Sequence, residues 1–259
     1  MSDTVLIEIN ERGVCHITLN KPGRHNAFDV EIIEELTQSI TMVNQDNTIR
    51  VVVLTGAGSS FCSGADLNWM QSLVNYSYEE NVQDAFKLAT LMRSLYSLDK
   101  PLICAVNGPA YGGALGLIAC ADIVVSVDDA EFSFSEVKLG IIPAVIMPYV
   151  IANIGLREAK RLFLTGERFT AMEAKELGLV THLVSKENFL DACTVQVEQL
   201  LAASPAAQEA CKKLIRKVNP LNESVDQLTT KAIAEARVSE QGQTGLNAFL
   251  KKRKAPWLT

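Results

Sequence analysis

The sequence predicts an α/β fold that passes into a helical carboxyl-terminal part. Three observations carry this. Short β-rich runs alternate with helix-period segments through the first two thirds of the chain. Two of those runs are continuously apolar, and after Pro143 strand-like runs nearly vanish.

The elements follow in order. Val5–Ile9 and Val14–Leu19 are short and β-rich, joined by Asn10-Glu11-Arg12-Gly13, a hairpin-type connection. Asp29–Val43 carries Ile32, Ile33, Leu36 and Ile40 near helical spacing. Val51-Val52-Val53-Leu54 is apolar throughout, as a strand buried on both faces should be. Asn81–Leu98 reads as an amphipathic helix with Val82, Phe86, Ala89 and Leu95 on its buried stripe. A second buried strand, Leu102–Val106, follows Pro101, and Ile123–Val127 and Glu131–Phe134 complete the β material. Helical patterns then occupy about 144–153, 157–165, 171–176, 186–203, 205–217 and 223–252, with Val180–Val184 the one strand-like exception. The strand–strand–helix rhythm is compatible with a coil of β-β-α units. No Gly-, Pro- or Ser-rich linker divides the chain, so one domain with a helical extension is expected.

The chain has 259 residues, 48% hydrophobic and 21% charged, which excludes disordered, collagen-like and disulfide-scaffold classes. Its net charge of −6 argues against a nucleic-acid partner, since phosphate backbones demand cationic surfaces. The amino terminus lacks a basic region with a following apolar run, so no secretory leader is expected. No apolar stretch approaches the length of a membrane span, so no membrane partner is expected. Six cysteines are scattered without a C-x-x-C pair, which points to buried thiols and a reducing, cytoplasmic setting. His16, His25 and His182 lie far apart, and no metal or nucleotide motif is present, so no metal is expected.

Two glycine-containing segments sit where strands end. Gly56–Leu67 follows the first buried strand and Asn107–Ala114 the second. In open α/β folds, the crevice beyond strand carboxyl ends is the usual ligand position. Two backbone N–H groups converging there would cradle a carbonyl oxygen that gains negative charge; otherwise the glycines only permit tight turns. A third feature is Glu131-Phe132-Ser133-Phe134-Ser135-Glu136. Continued strand periodicity would place Glu136 on the face of two phenyl rings, where a carboxyl pKa rises towards values useful for proton transfer. If the strand ends at Phe134, Glu136 turns out to water instead.

Together these segments resemble the crotonase family, the enoyl-CoA hydratase/isomerase superfamily. The resemblance spans nearly the whole chain. Its specific parts include Asn20-Lys21-Pro22 with Asn26-Ala27, Phe61–Leu67, Asn107–Gly113, Glu136 with Leu139–Pro143, Leu164-Thr165-Gly166, Ala174–Val180 and Phe249–Lys254. It implies a crotonase-like spiral of β-β-α units over residues 1–200 and a helical trimerisation region over 201–259, assembled as a homotrimer or a hexamer of two trimers. It implies an acyl-CoA substrate and no separate cofactor, because coenzyme A enters as part of the thioester. By motif match, the N–H groups of Ala65 and Gly113 would hold the thioester oxygen and Glu136 would move protons. Asp66, Leu67 and Asn68 would line the acyl-CoA groove, with Arg24, His25 and Ala27 near the CoA phosphates and adenine. The basic run 251–254 would touch CoA of a neighbouring subunit, or simply favour a helix carboxyl end.

One departure matters. Hydratases of this family carry a second glutamate, and here Gly116 takes its place. The stretch Ala144-Val145-Ile146-Met147-Pro148-Tyr149 is also apolar where relatives are glycine-rich. With these departures the chain looks most like the bacterial methylglutaconyl-CoA hydratase branch, which serves leucine or acyclic terpene breakdown. Either Glu136 serves both proton steps or a carboxylate on the substrate assists. A Δ3,Δ2-enoyl-CoA isomerase needs only one carboxylate and is the alternative, followed by a non-catalytic acyl-CoA-binding protein.

Overall fold

A computed structural model describes residues 4–219, 221 and 223–257. Met1, Ser2 and Asp3, read above for a leader, lie outside them. The β-rich runs β1 (Val5–Ile9) and β2 (Val14–Leu19) pair antiparallel, Val5 opposite Leu19. Their turn depends on Gly13, whose φ of +78° is joined by lack of room, since a Cβ there would lie 2.3 Å from the Thr48 carbonyl oxygen. Helix α1 (Val30–Gln45) starts at Asp29, whose carboxylate accepts from the Ile32 N–H. The buried runs become β3 (Val51–Gly56) and β4 (Leu102–Val106), and β4 is buried at every residue.

Between them lie α2 (Leu67–Val74) and α3 (Tyr78–Ser97). Helix α3 begins three residues earlier than the apolar pattern suggests, because Ser77 and Glu80 form a reciprocal capping box. Its buried stripe is also turned. Phe86 is 53% exposed, whereas Asn81 and Asp84 are buried. Those two polar side chains face inward because they hold an arginine from the far end of the chain.

The strands β6 (Ile123–Val127) and β9 (His182–Val184) extend a six-stranded sheet in the order β1-β2-β3-β4-β6-β9, parallel from β2 onward. A second sheet, in the order β5-β7-β8, joins β5 (Ala110–Tyr111), β7 (Glu131–Ser133) and β8 (Arg168–Thr170). The sequence reading missed β5 and β8, which are too short to carry a periodicity. Each turn of the coil thus gives a strand to the large sheet, a short strand or bridge to the small one, and then a helix. Beta-4, β5 and α4 (Ala114–Cys120) show this plainly. The predicted spiral α/β fold with terminal helices is the observed one.

Helix α5 (Met147–Thr165) breaks at Gly155, with φ +74° and ψ 163°, as the two expected segments implied. Helices α6 (Ala171–Glu176), α7 (Phe189–Leu201) and α8 (Pro205–Val218) follow. The single helix expected over 223–252 is two, α9 (Glu223–Val238) and α10 (Glu240–Leu250). Ser239 separates them, its hydroxyl accepting from the Gly242 N–H at 3.0 Å. Helix α9 lies along α3, and α10 lies against α2 and the 3-10 turn Ser135–Leu139 of the same chain.

Candidate active site

The two glycine segments run side by side. Cys62 bridges to Ala110, and the Tyr111 N–H donates to the Cys62 carbonyl at 3.0 Å. Gly64 at φ +89° and Gly112 at φ +56° make this approach, which a side chain would obstruct. A Cβ on Gly64 would lie 3.0 Å from the Tyr111 oxygen, and one on Gly112 would lie 3.1 Å from Glu136 Oε1. Phe28 pins the first segment from its other side. Its N–H donates to the Gly64 carbonyl and its carbonyl accepts from the Asp66 N–H, both at 2.6 Å. Ala65 lies between these bonds, and its own N–H takes no partner among the described residues; nor does that of Gly113. Both residues line one pocket with Glu136. Two unspent donors beside a carboxyl group are the parts an enolising thioester needs.

Glu136 arrives there by neither route expected. Strand β7 stops at Ser133, and the 3-10 turn Ser135–Leu139 swings the carboxyl into the pocket while Phe132 and Phe134 stay buried in the core. The residue is partly exposed, but its Oε2 is closed to solvent and has no hydrogen-bond partner among the described residues. Burial pushes this carboxyl up from the usual 4.5 to about 7. Between those values the folded protein holds the proton that the unfolded chain releases, so stability falls as pH rises through the window. Relative to the wild type, Glu136→Gln should therefore gain thermal stability at pH 8, with the gain fading as pH falls towards 4.5. A pH-independent difference between the two melting curves would mean an ordinary carboxyl.

The remaining candidates separate. Arg24 is exposed, and its Nη1 lies 3.1 Å from Asp66 Oδ2. Asp66 caps α2, accepting from the Asn68 and Trp69 N–H groups. His25 Nδ1 is 3.0 Å from the Ser60 hydroxyl, and Ala27 is buried beneath the loop. None of Arg24, His25, Ala27 or Asp66 lines the Glu136 pocket. Leu67 and Asn68 instead share a neighbouring surface pocket with Phe249, Lys251 and Lys252 of the same chain. Among the described residues no cluster of His, Cys, Asp and Glu could hold a metal. All six cysteines are free thiols, and no described helix is long and apolar enough to cross a membrane.

Gly116 receives a physical explanation. A Cβ there would lie 2.4 Å from Ile146 Cγ2 and 2.7 Å from Met92 Sδ. Ile146 lies in the apolar stretch after Pro143 and also lines the pocket. The two departures noted in the sequence are therefore one packing arrangement, in which Ile146 fills the space that a side chain at position 116 would need.

Sequence reasoning overlooked Arg237. This side chain, from the end of α9, is only 7% exposed and lines the same pocket. Its Nη1 donates to Asp84 Oδ2 at 2.8 Å and approaches Asn81 Oδ1 at 3.4 Å, while Asp84 Oδ1 accepts from Trp69 Nε1 at 3.0 Å. The available signal was its helical spacing from Thr230, Ile233 and Ala234, all buried.

The fold and this pocket define a class: a spiral α/β protein whose pocket sets two unpartnered backbone N–H groups beside one carboxyl. The sequence model of the enoyl-CoA hydratase/isomerase family matches residues 9–259, and the chain belongs to that family, an enzyme of the crotonase superfamily. Enoyl-CoA hydratase AKT6-1 of Alternaria alternata is 31% identical over 249 residues, covering 95% of this chain and 81% of that protein. The crystal structure of an enoyl-CoA hydratase from Shewanella pealeana is 39% identical, with a TM-score of 0.81 and coverage of 98% and 96%. An enoyl-CoA hydratase from Mycobacterium avium is 29% identical, with a TM-score of 0.84 and coverage of 99% and 100%.

Proposed function

We propose that this enzyme is a hydro-lyase that adds water across the α,β double bond of an enoyl-CoA, with methylglutaconyl-CoA as its acyl substrate. The observation that carries the hydratase reading is the buried Glu136 carboxyl beside the unpartnered N–H groups of Ala65 and Gly113. These N–H groups hold the thioester oxygen. Ionised Glu136 takes a proton from water as the water oxygen bonds to the β-carbon, and the electron pair of the double bond moves onto that thioester oxygen. Glu136 then returns the proton to the α-carbon, so one carboxyl completes both steps. Its pKa near 7 keeps both protonation states accessible at neutral pH.

The space closed at Gly116 favours one rival, Δ3,Δ2-enoyl-CoA isomerisation, in which a single base moves one proton between two carbons. Incubation with crotonyl-CoA, methylglutaconyl-CoA and a 3-enoyl-CoA separates the two. The expected product gains one water in mass and loses the conjugated absorbance. Bond migration without a mass change would establish the isomerase and remove the hydratase.

Arg24, His25 and Ala27 are assigned to the CoA end, and Asp66, Leu67 and Asn68 to the groove leading to it. A homotrimer or hexamer in the cytoplasm completes this reading. It draws support from the exposed Leu214, Ile215 and Val218 on one side of α8 and from the free thiols.

A further inference from the structure

We infer that Arg237 is a specificity-determining residue that docks a carboxylate at the far end of the acyl chain; this deepens the methylglutaconyl-CoA assignment and rests on that reading. Among the described residues, Glu136 and Arg237 are the only two charged side chains lining the pocket. The rest of the wall is largely apolar, with Phe28, Trp69, Ile141 and Ile146 among its members. An all-carbon acyl chain gains nothing from a guanidinium there, and burying that cation works against its charge.

The cation is kept by a built cradle. Asp84 and Asn81 hold its Nη1 from α3, and Trp69 from α2 fixes Asp84 in turn. This leaves Nε buried with no partner among the described residues. Nε–H and one terminal N–H of a guanidinium form the edge that a carboxylate takes as a fork. An unmet buried donor on a side chain that lines an acyl pocket is a feature that a matching ligand group can satisfy.

Asp84 already balances the charge, so the gain comes from the hydrogen bonds of the unpartnered edge. Bonds to a charged group are worth roughly ten- to a hundredfold in affinity. The assignment also bears on the proton steps. A carboxylate paired with a guanidinium is a poorer base, so a docked substrate carboxylate orients the chain and leaves water activation to Glu136.

The test uses glutaryl-CoA and valeryl-CoA, which have five acyl carbons each and no double bond to hydrate. Calorimetric titration of the wild type should give glutaryl-CoA at least about tenfold tighter binding, the lower end of the value of such bonds. Equal or weaker binding of glutaryl-CoA overturns the assignment. Arg237→Met should bring the glutaryl-to-valeryl affinity ratio to one or below, and Arg237→Lys should leave it in between because it keeps charge but loses the fork. An unchanged ratio in either folded variant also overturns it. Should the Met variant fail to fold with Asp84 left unpaired, the wild-type ratio and the Lys variant decide. Crotonyl-CoA hydration without preference for glutaryl-CoA defeats the docking role and leaves the hydratase standing. Glutaryl-CoA preference without hydration of any enoyl-CoA does the reverse.

Discussion

Glu136→Gln should lower hydration turnover by about 10²–10⁴-fold, the usual contribution of a positioned acid–base group, while acyl-CoA affinity stays within a few-fold. The amide keeps the shape of the carboxyl but exchanges no proton at a useful pKa. The loss should be large because Ile146 and Met92 close the space at Gly116, leaving no second carboxylate to take over. For the wild type, kcat/KM should fall on the acid side of about pH 7, where the base becomes protonated. Steady-state kinetics of the variant, with binding measured separately, provide the check. Retention of more than about a tenth of wild-type turnover would remove Glu136 from the proton steps.

Gly116→Glu should fail to restore a two-carboxylate site and should instead cost the fold. Its Cβ would meet Ile146 Cγ2 at 2.4 Å, and every residue of α4 around it is buried. Overpacking of this kind costs about 1–3 kcal/mol, and burying an unpaired carboxylate adds several more. That sum is a large share of a typical stability of about 5–15 kcal/mol. The expected result is a melting temperature lower by about 10 °C or more, or no soluble protein, with no gain in crotonyl-CoA hydration. Adding Ile146→Ala should recover part of the loss by vacating the contested space. A Gly116→Glu protein that melts like the wild type and hydrates crotonyl-CoA faster would show that the pocket opens, and would return the missing glutamate to the centre of the mechanism.

Much of this site lies in the sequence because its parts are local. The N–H groups of Ala65 and Gly113 lie in the segments that follow two buried strands, and positive φ at Gly64 and Gly112 is a short-range demand. Glu136 was legible as a candidate but not as a geometry, because a 3-10 turn rather than continued strand periodicity carries it into the pocket. The misplacement of Phe86 has the same origin as the omission of Arg237. An apolar-inside rule puts Phe86 in the core and Asp84 in water. A cation 153 residues away reverses that choice at Asp84.

The sequence by itself determined the alternation of strands and helices, the two buried strands, the two glycine segments and the presence of Gly116 where the family resemblance implies a second carboxylate. Those follow from periodicity, turn chemistry and motif order, all of which act over a few residues. Tertiary structure alone decided that Ile146 fills the place beside Gly116, that α9 and α10 break at Ser239 and that Arg237 meets Asp84 beside Glu136. These outcomes depend on volume and on buried charge, and both are fixed only when segments distant in the chain compete for the same space.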